Sequence, residues 1–446
     1  MTTRKFLAAG ILAGAALIST ASAQTKIYIT GSSAFRAATT IAIGGAGGTA
    51  GGGVLSGGPF ATSGNTGAFI ASDNATLTSA NAVTWAGGNI GGTAVTIKAS
   101  WSGSTGGFQV VAGSLPVRFL PDGATGTSNA DPRNVANPAE VATPDIGMGD
   151  STQSSTPWTP GSLVNGGPAT YANLTQTPVG IVAFTFAGST GFPAGKSMTK
   201  KAFEYQYAGL GYVPLSTYTG DPLDVTGTRS IVYSFGRDPD SGTRTITLAE
   251  TGYGVNNAVT QFKPTVSGTT ITALGNYPAT TLNGILYAGA NMGESSGGTL
   301  RGYLTKTLTA GAYQNGESGP SYGVTYVGAS DFLATYVGTI TDSFGTLTGT
   351  GPAGLSSVPL NWNGVAYNRD NIVNGNYTFW STQVTHRRPD LGNTTTGGPV
   401  VKLTFYTNLS NGILATATTS LSGNVKLGDM QVTRLTDGGP ITNLNF

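Results

Sequence analysis

The sequence predicts a mixed α/β protein with a heavy loop content. Short runs rich in β-branched and aromatic residues recur along the chain, helical periodicity is weaker and tends to start just after Ser/Gly pairs able to cap a helix, and 69 of the 446 residues are glycine. Strands are expected over residues 26–30, 95–100, 179–186, 231–235, 323–327, 400–406 and 425–434. Helices are expected over 34–43, 203–209, 298–307 and 330–337. The low-complexity stretch 44–58, GGAGGTAGGGVLSGG, reads as a flexible loop or exposed insertion, and 120–143 and 345–357 also read as loops. A repeat period of roughly 20 to 50 residues is missing, which weakens a solenoid or propeller.

The first residues read as an export leader. Arg4 and Lys5 precede an apolar run over 6–18, and Ala21-Ser22-Ala23 stands before Gln24, so cleavage is expected after Ala23. No later stretch approaches the roughly 20 apolar residues of a membrane span, so the mature chain is expected to be soluble, periplasmic or secreted, and monomeric. With no cysteine, disulfides and an N-terminal lipid anchor are both excluded. Removing the leader takes Arg4 and Lys5 with it and brings the 22 basic residues level with the 20 acidic ones, which argues against nucleic acid or an anionic membrane as partner. Charged residues make up 9% of the chain, against about a quarter in an average soluble domain. Ser, Thr, Asn and Gly must therefore cover the surface. The length suggests two or three domains.

The richest local signal is a strand followed by an anion-ready turn, residues 230–244. Arg237 offers a planar fork of donors, Ser241 and Thr243 add hydroxyls, and Gly242 lets the backbone approach a ligand. A helix beginning at 246–250 would aim its free amides at the same point. An ordinary surface turn is the competing reading, because Asp-Pro-Asp-Ser-Gly is common turn chemistry.

Five segments occur in order: Ile27–Phe35 (IYITGSSAF), Lys98–Gly107 (KASWSGSTGG), Asp145–Asp150 (DIGMGD), the Arg237–Thr243 turn (RDPDSGT), and Ala366–Trp380 with its NIVNGNYTFW. This order resembles the phosphate-binding component of ABC transporters, a type II periplasmic solute-binding protein, over most of the mature chain. The resemblance implies a two-lobed α/β fold with Gly-rich insertions, lobe one spanning 24–183 plus 325–446 and lobe two 184–324, with hinge crossings near Phe184 and Tyr326. It implies an oxyanion, phosphate first, held by Ser33, Ala34, Ser104 and Asp150 from one lobe and Arg237, Ser241, Gly242 and Thr243 from the other. Membrane subunits of a transporter would be the partner. In this picture Asp150 accepts the proton of hydrogen phosphate and repels fully ionised sulfate. Pro239 stands where the family carries a second acidic residue, with Asp238 and Asp240 on either side, and Ala34 stands in place of a hydroxyl residue. Gly293–Thr299 reads as a helix cap rather than a ligand loop.

Catalysis is the weakest alternative. His386 is the single histidine and no cysteine exists, so His/Cys metal sites and Ser-His-Asp or Cys-His hydrolysis have little to work with, and His386 is expected in a solvated basic corner. No cofactor and no metal are expected. Asp238-x-Asp240-x-Gly242 fails as a calcium loop, since Thr243 occupies the required glycine position and Ala249 the twelfth. The remaining alternative is an extracellular or cell-surface structural or adhesive protein that keeps the solute-binding fold without transport.

Overall fold

Strands and helices alternate along the chain in the computed structural model, which describes residues 24–44, 69–72, 79–221, 229–309, 317–393, 400–416 and 423–444. The expected leader and nearly all of 44–58 lie outside the described residues. The strands used below are β1 (Thr25–Gly31), β2 (Phe69–Ala71), β3 (Ala82–Ile90), β4 (Thr93–Ser100), β5 (Ile146–Gly149), β6 (Thr175–Gly188), β7 (Tyr212–Pro214), β8 (Ile231–Ser234), β9 (Ser321–Gly328) and β10 (Trp380–Arg387). The helices are α1 (Arg36–Gly44), α2 (Ser104–Ala112), α3 (Gly242–Glu250), α4 (Gly297–Leu304), α5 (Ala329–Leu333) and α6 (Val400–Thr416). The chain is a mixed α/β protein, as predicted.

These ten strands form the continuous path of a 12-stranded sheet, in the order β7-β8-β9-β6-β10-β5-β1-β4-β3-β2. β1 runs parallel to β4 and β5, and β8 runs parallel to β9, while β6 and β10 are antiparallel to their neighbours. β6 is shared. Its residues up to Ala183 pair with β10, and from Phe184 onward they pair with β9. Two cores follow the same division. Ile27, Ile29, Trp85, Ile97, Phe405 and Leu409 belong to one. Phe186, Phe203, Tyr207, Tyr326, Trp362 and Phe379 belong to the other, where the Phe186 ring stacks on Trp362 at 5.6 Å and on Phe379 at 5.0 Å. Offset aromatic stacking of this kind adds to the gain from burying the rings.

Five expected strands lie in this sheet, as parts of β1, β4, β6, β8 and β9. The strand expected at 400–406 is instead the start of the 17-residue helix α6. Phe405, Tyr406, Leu409 and Ile413 are its buried apolar positions, a helical spacing, and Gly412 lets the helix backbone come close to Ala42 of α1. Packing on α1 overrides the β preference of Val400, Val401, Thr404 and the aromatics. The strand expected at 425–434 shrinks to Val432–Thr433, paired with Thr442–Asn443, because a short 3₁₀ turn at Leu427–Asp429 interrupts it. The loops expected at 120–143 and 345–357 each contain a short strand, Glu140–Ala142 and Gly345–Thr348. The helix expected at 330–337 ends at Leu333, and that at 203–209 is Lys200–Phe203 continued with π geometry over Glu204–Ala208.

His386 is a clear correction. It is fully buried, stacked on Phe108 at 4.0 Å, and burial pushes its pKa down to about 3. The imidazole lies over Gly147, the position it faces across β5, where a Cβ would come within 2.0 Å of its Nε2. Room made by a missing side chain, which sequence spacing does not show, turns a basic-looking corner into a core residue.

Candidate functional site

The carboxyl ends of β1, β4, β5, β8 and β9 all feed loops into one cavity of about 360 Å³. Its wall includes Ser33, Ala34, Ser104, Asp150, Arg237, Gly242 and Thr243, so seven of the eight residues singled out in the sequence meet there. Ser241 does not. Its hydroxyl accepts from the Arg244 amide and caps α3, and its own amide donates to the Asp238 carbonyl. The helix expected from 246 starts four residues earlier, at Gly242, because Ser241 is an effective cap.

Asp150 follows β5 and is 5% exposed. Ser32 Oγ donates to its Oδ2 at 2.8 Å, whereas Oδ1 is buried and makes no hydrogen bond. Burial pushes the carboxyl up to about 6, while Ser32, Arg237 and Gln383 pull the other way. The Asp150 amide donates to Ser104 Oγ at 2.7 Å, which leaves the Ser104 hydroxyl proton to be directed elsewhere. Ala34, counted on for its amide, donates that amide to Ser32 Oγ at 3.1 Å.

Arg237 is anchored by main chain rather than by a carboxylate. Its Nε donates to the Glu294 carbonyl at 3.0 Å and Nη2 to the Ser295 carbonyl at 3.1 Å, while Nη1 makes no hydrogen bond among the described residues. Behind it, Asp238 and Asp240 are buried and pushed up by burial, Asp238 to about 6, and Asp240 also by the charge of Asp238.

Two helix N-termini meet at this wall and differ in what lies before them. At α2, the Thr105 and Gly106 amides both donate to the Asp240 carbonyl, at 2.9 and 3.2 Å, and so fasten α2 to the turn that precedes α3. At α3, the Gly242 and Thr243 amides find no acceptor among the described residues and open on the cavity. Gly242 has to be glycine here, since a Cβ would sit 2.6 Å from the Ser104 Cβ and 3.0 Å from the Asp150 Cβ.

Sequence reasoning missed other wall residues: Arg36, Ser296–Gly298, Arg301, Ser330, Asp331, Gln383 and Asn424. Gly293–Thr299 is a helix cap, as expected, with Ser296 Oγ accepting from the Thr299 amide, and it reaches the cavity as well. Ser330 and Asp331, directly after β9 in the run GASD, carried the same strand-then-Ser/Asp signal as Asp150. Arg36 donates to the Ser79 carbonyl and Asn81 Oδ1, its Nε is buried without a partner, and burial beside Arg133 and Arg237 lowers it to about 10.

Fold and cavity define an α/β protein with a polar, donor-rich site at the strand ends, the usual place for a ligand in such sheets. No family model and no curated protein matches the sequence. Among solved structures, the chain is similar to a putative phosphate ABC transporter substrate-binding protein with bound phosphate from Clostridium perfringens, at 11% identity and TM-score 0.40, covering 90% of this chain and 100% of that one. It is also similar to an ABC-type phosphate transport receptor from Vibrio cholerae, at 13% identity and TM-score 0.31 over 64% of this chain and 80% of that one. A third is a possible phosphate binding protein from Planctomyces limnophilus, at 11% and 0.35 over 87% and 99%. Likeness this distant fixes no ligand. No helix among the described residues is long and apolar enough to cross a membrane.

Proposed function

We propose that the protein is an exported solute-binding protein that captures a tetrahedral oxyanion, phosphate first, for uptake by an ABC transporter. The observation that carries this reading is Asp150, a buried carboxyl in the wall of a cavity that Arg237, Ser104, Ser33 and the start of α3 line with donors. A dehydrated anion needs its lost water replaced by directed donors. Arg237, the Ser104 hydroxyl, Ser33, Thr243 and the first amides of α3 supply them. An acceptor among them is useful only for a ligand that also carries a proton. Hydrogen phosphate gives that proton to the Asp150 carboxylate, whereas sulfate has none to give and meets an unpaired negative charge. The role is binding, not catalysis.

The change of partner along β6 at Ala183 and Phe184 supports a reading of two lobes joined through this strand. Because Phe332, Trp362, Tyr367 and Phe379 share a core with Phe186, we assign 329–379 to the second lobe and move the return crossing from Tyr326 to the Phe379–Trp380 step. Closure about these crossings would shut the cavity.

Titration calorimetry of residues 24–446 against phosphate, sulfate, molybdate and tungstate at pH 8 tests the reading. Phosphate is expected to bind in excess sulfate, and Asp150→Asn is expected to narrow the phosphate-over-sulfate preference at least tenfold. Silence toward all four anions would reject it in favour of a surface protein that keeps the fold.

A further inference from the structure

Arg237 and Asp331 approach each other at the start of α4 without touching. A Cβ on Gly297, the first residue of that helix, would stand 2.2 Å from Asp331 Oδ2 and 3.5 Å from Arg237 Nη1, so the two atoms are separated by no more than the sum of those distances. No ion pair within 4.0 Å joins the two residues among the described residues. Both atoms also lack a partner. Arg237 gives Nε and Nη2 to the Glu294 and Ser295 carbonyls, which leaves Nη1. Asp331 Oδ1 accepts from Arg301 Nη1 at 3.1 Å, and no hydrogen bond reaches Oδ2 among the described residues. A single oxygen with hydrogen bonds of about 2.8 Å to each atom spans a gap of this size. Both side chains belong to residues of the cavity wall.

An oxygen in that gap has two tasks. It accepts from Arg237 Nη1, and to lie beside a carboxylate it must carry a proton that it donates to Asp331 Oδ2. Asp150 makes the same demand in the same wall, and the Arg237 charge acts on both carboxyls. Hydrogen phosphate brings one proton to these two acceptors. Burial pushes Asp331 up from the usual carboxylate range, while the charges facing it, Arg301 on α4 and Arg237 in the turn after β8, pull it back. Its ion pair with Arg301 keeps it a carboxylate at pH 8 before a ligand enters. The one further cation of the wall is Arg36, lowered to about 10, and no Lys, His or Tyr stands in the wall among the described residues.

Resting on the oxyanion reading above, we infer that Asp331 reads a second proton on the ligand: phosphate is held with one proton shared with Asp150 and another, taken from solvent, between the oxygen on Arg237 Nη1 and Asp331 Oδ2. Asp331 is then a specificity residue, because the site asks for two protons where a fully ionised oxyanion offers none. The proton balance is explicit. Hydrogen phosphate, an ionised Asp150 and an ionised Asp331 enter, one proton comes from solvent, and no covalent bond to phosphorus changes. Linkage makes the affinity fall as pH rises wherever binding takes up a proton. A water in the gap instead of a ligand oxygen would take up no proton.

The test is calorimetric titration of residues 24–446 with inorganic phosphate at pH 8 and pH 9, where free phosphate is almost wholly hydrogen phosphate. The unmodified protein is expected to bind about tenfold more weakly at pH 9 than at pH 8, the slope of one proton taken up. Asp331→Asn, whose amide donates to the same oxygen, is expected to change less than twofold over that range. Arg36 titrates alike in both proteins, so the comparison removes its share. Gly297→Ala puts a methyl into the gap and is likewise expected to flatten the slope, which keeps the test open should Asp331→Asn fail to fold. A change below twofold in the unmodified protein, or a tenfold change kept in either variant, overturns the inference and leaves the oxyanion reading standing. Silence of the unmodified protein toward phosphate overturns both.

Discussion

The N-termini of α2 and α3 lie side by side, have the same length of nine residues, and do opposite things. Each offers free amides and the positive end of a helix dipole. The first amides of α2 are closed off by the Asp240 carbonyl, so that end is a joint between the two halves of the molecule. Those of α3 open on the cavity. What differs is the residue placed in front, and a helix end alone therefore says nothing about ligand binding.

The largest expected effect comes from breaking the joint. Gly103, the residue before α2, has φ of +110°, and a Cβ there would come 2.4 Å from the Asp240 carbonyl oxygen, a main-chain atom that cannot swing away. Gly103→Ala is expected to cost about 4 kcal/mol in urea unfolding. A loss below about 1 kcal/mol would show that the two halves are not pressed together at this point.

Asp150→Asn comes next and sharpens the comparison from the cavity side. The carboxyl of Asp150 is raised to about 6 in the fold, so its favourable, neutral form is fully present below about pH 4 and its contribution is lost as pH rises through 6. The variant without ligand is expected to match the unmodified protein near pH 4 and to exceed it at pH 8 by on the order of 3 kcal/mol. Thermal melts across pH 4 to 8 would read this, and a difference that does not change with pH would contradict it. Ser241→Ala gives the smallest effect. Loss of the α3 cap is expected to cost about 1 kcal/mol and to weaken phosphate only indirectly, by fraying the Gly242 and Thr243 amides. A loss of affinity far beyond that fraying would return Ser241 to the set of direct ligands.

Much of this was legible in the sequence, for identifiable reasons. Apolar runs flanked by strands on both sides, such as Ile231–Ser234, are buried on both faces and announce themselves. Ordered Ser/Gly/Asp loops placed Ser104, Asp150, Arg237 and Gly242 around one cavity because each loop leaves the end of a strand. The rest depended on contacts distant in sequence. α6 is helical because α1 is there to pack on, and Ser241 turned inward because a local cap competed with the ligand role. Arg301 and Asp331 lie 30 positions apart and gain meaning only as a pair.

The stacking of His386 on Phe108 has a consequence for measurement. The single histidine of the chain is neutral down to about pH 3 and so contributes nothing to buffering near neutrality. Proton uptake or release by the protein around pH 6 then reports on buried carboxyls, Asp150 and Asp238 foremost. Binding heats measured in two buffers of different ionisation enthalpy would thus count the protons exchanged when a ligand enters, without a histidine signal to subtract.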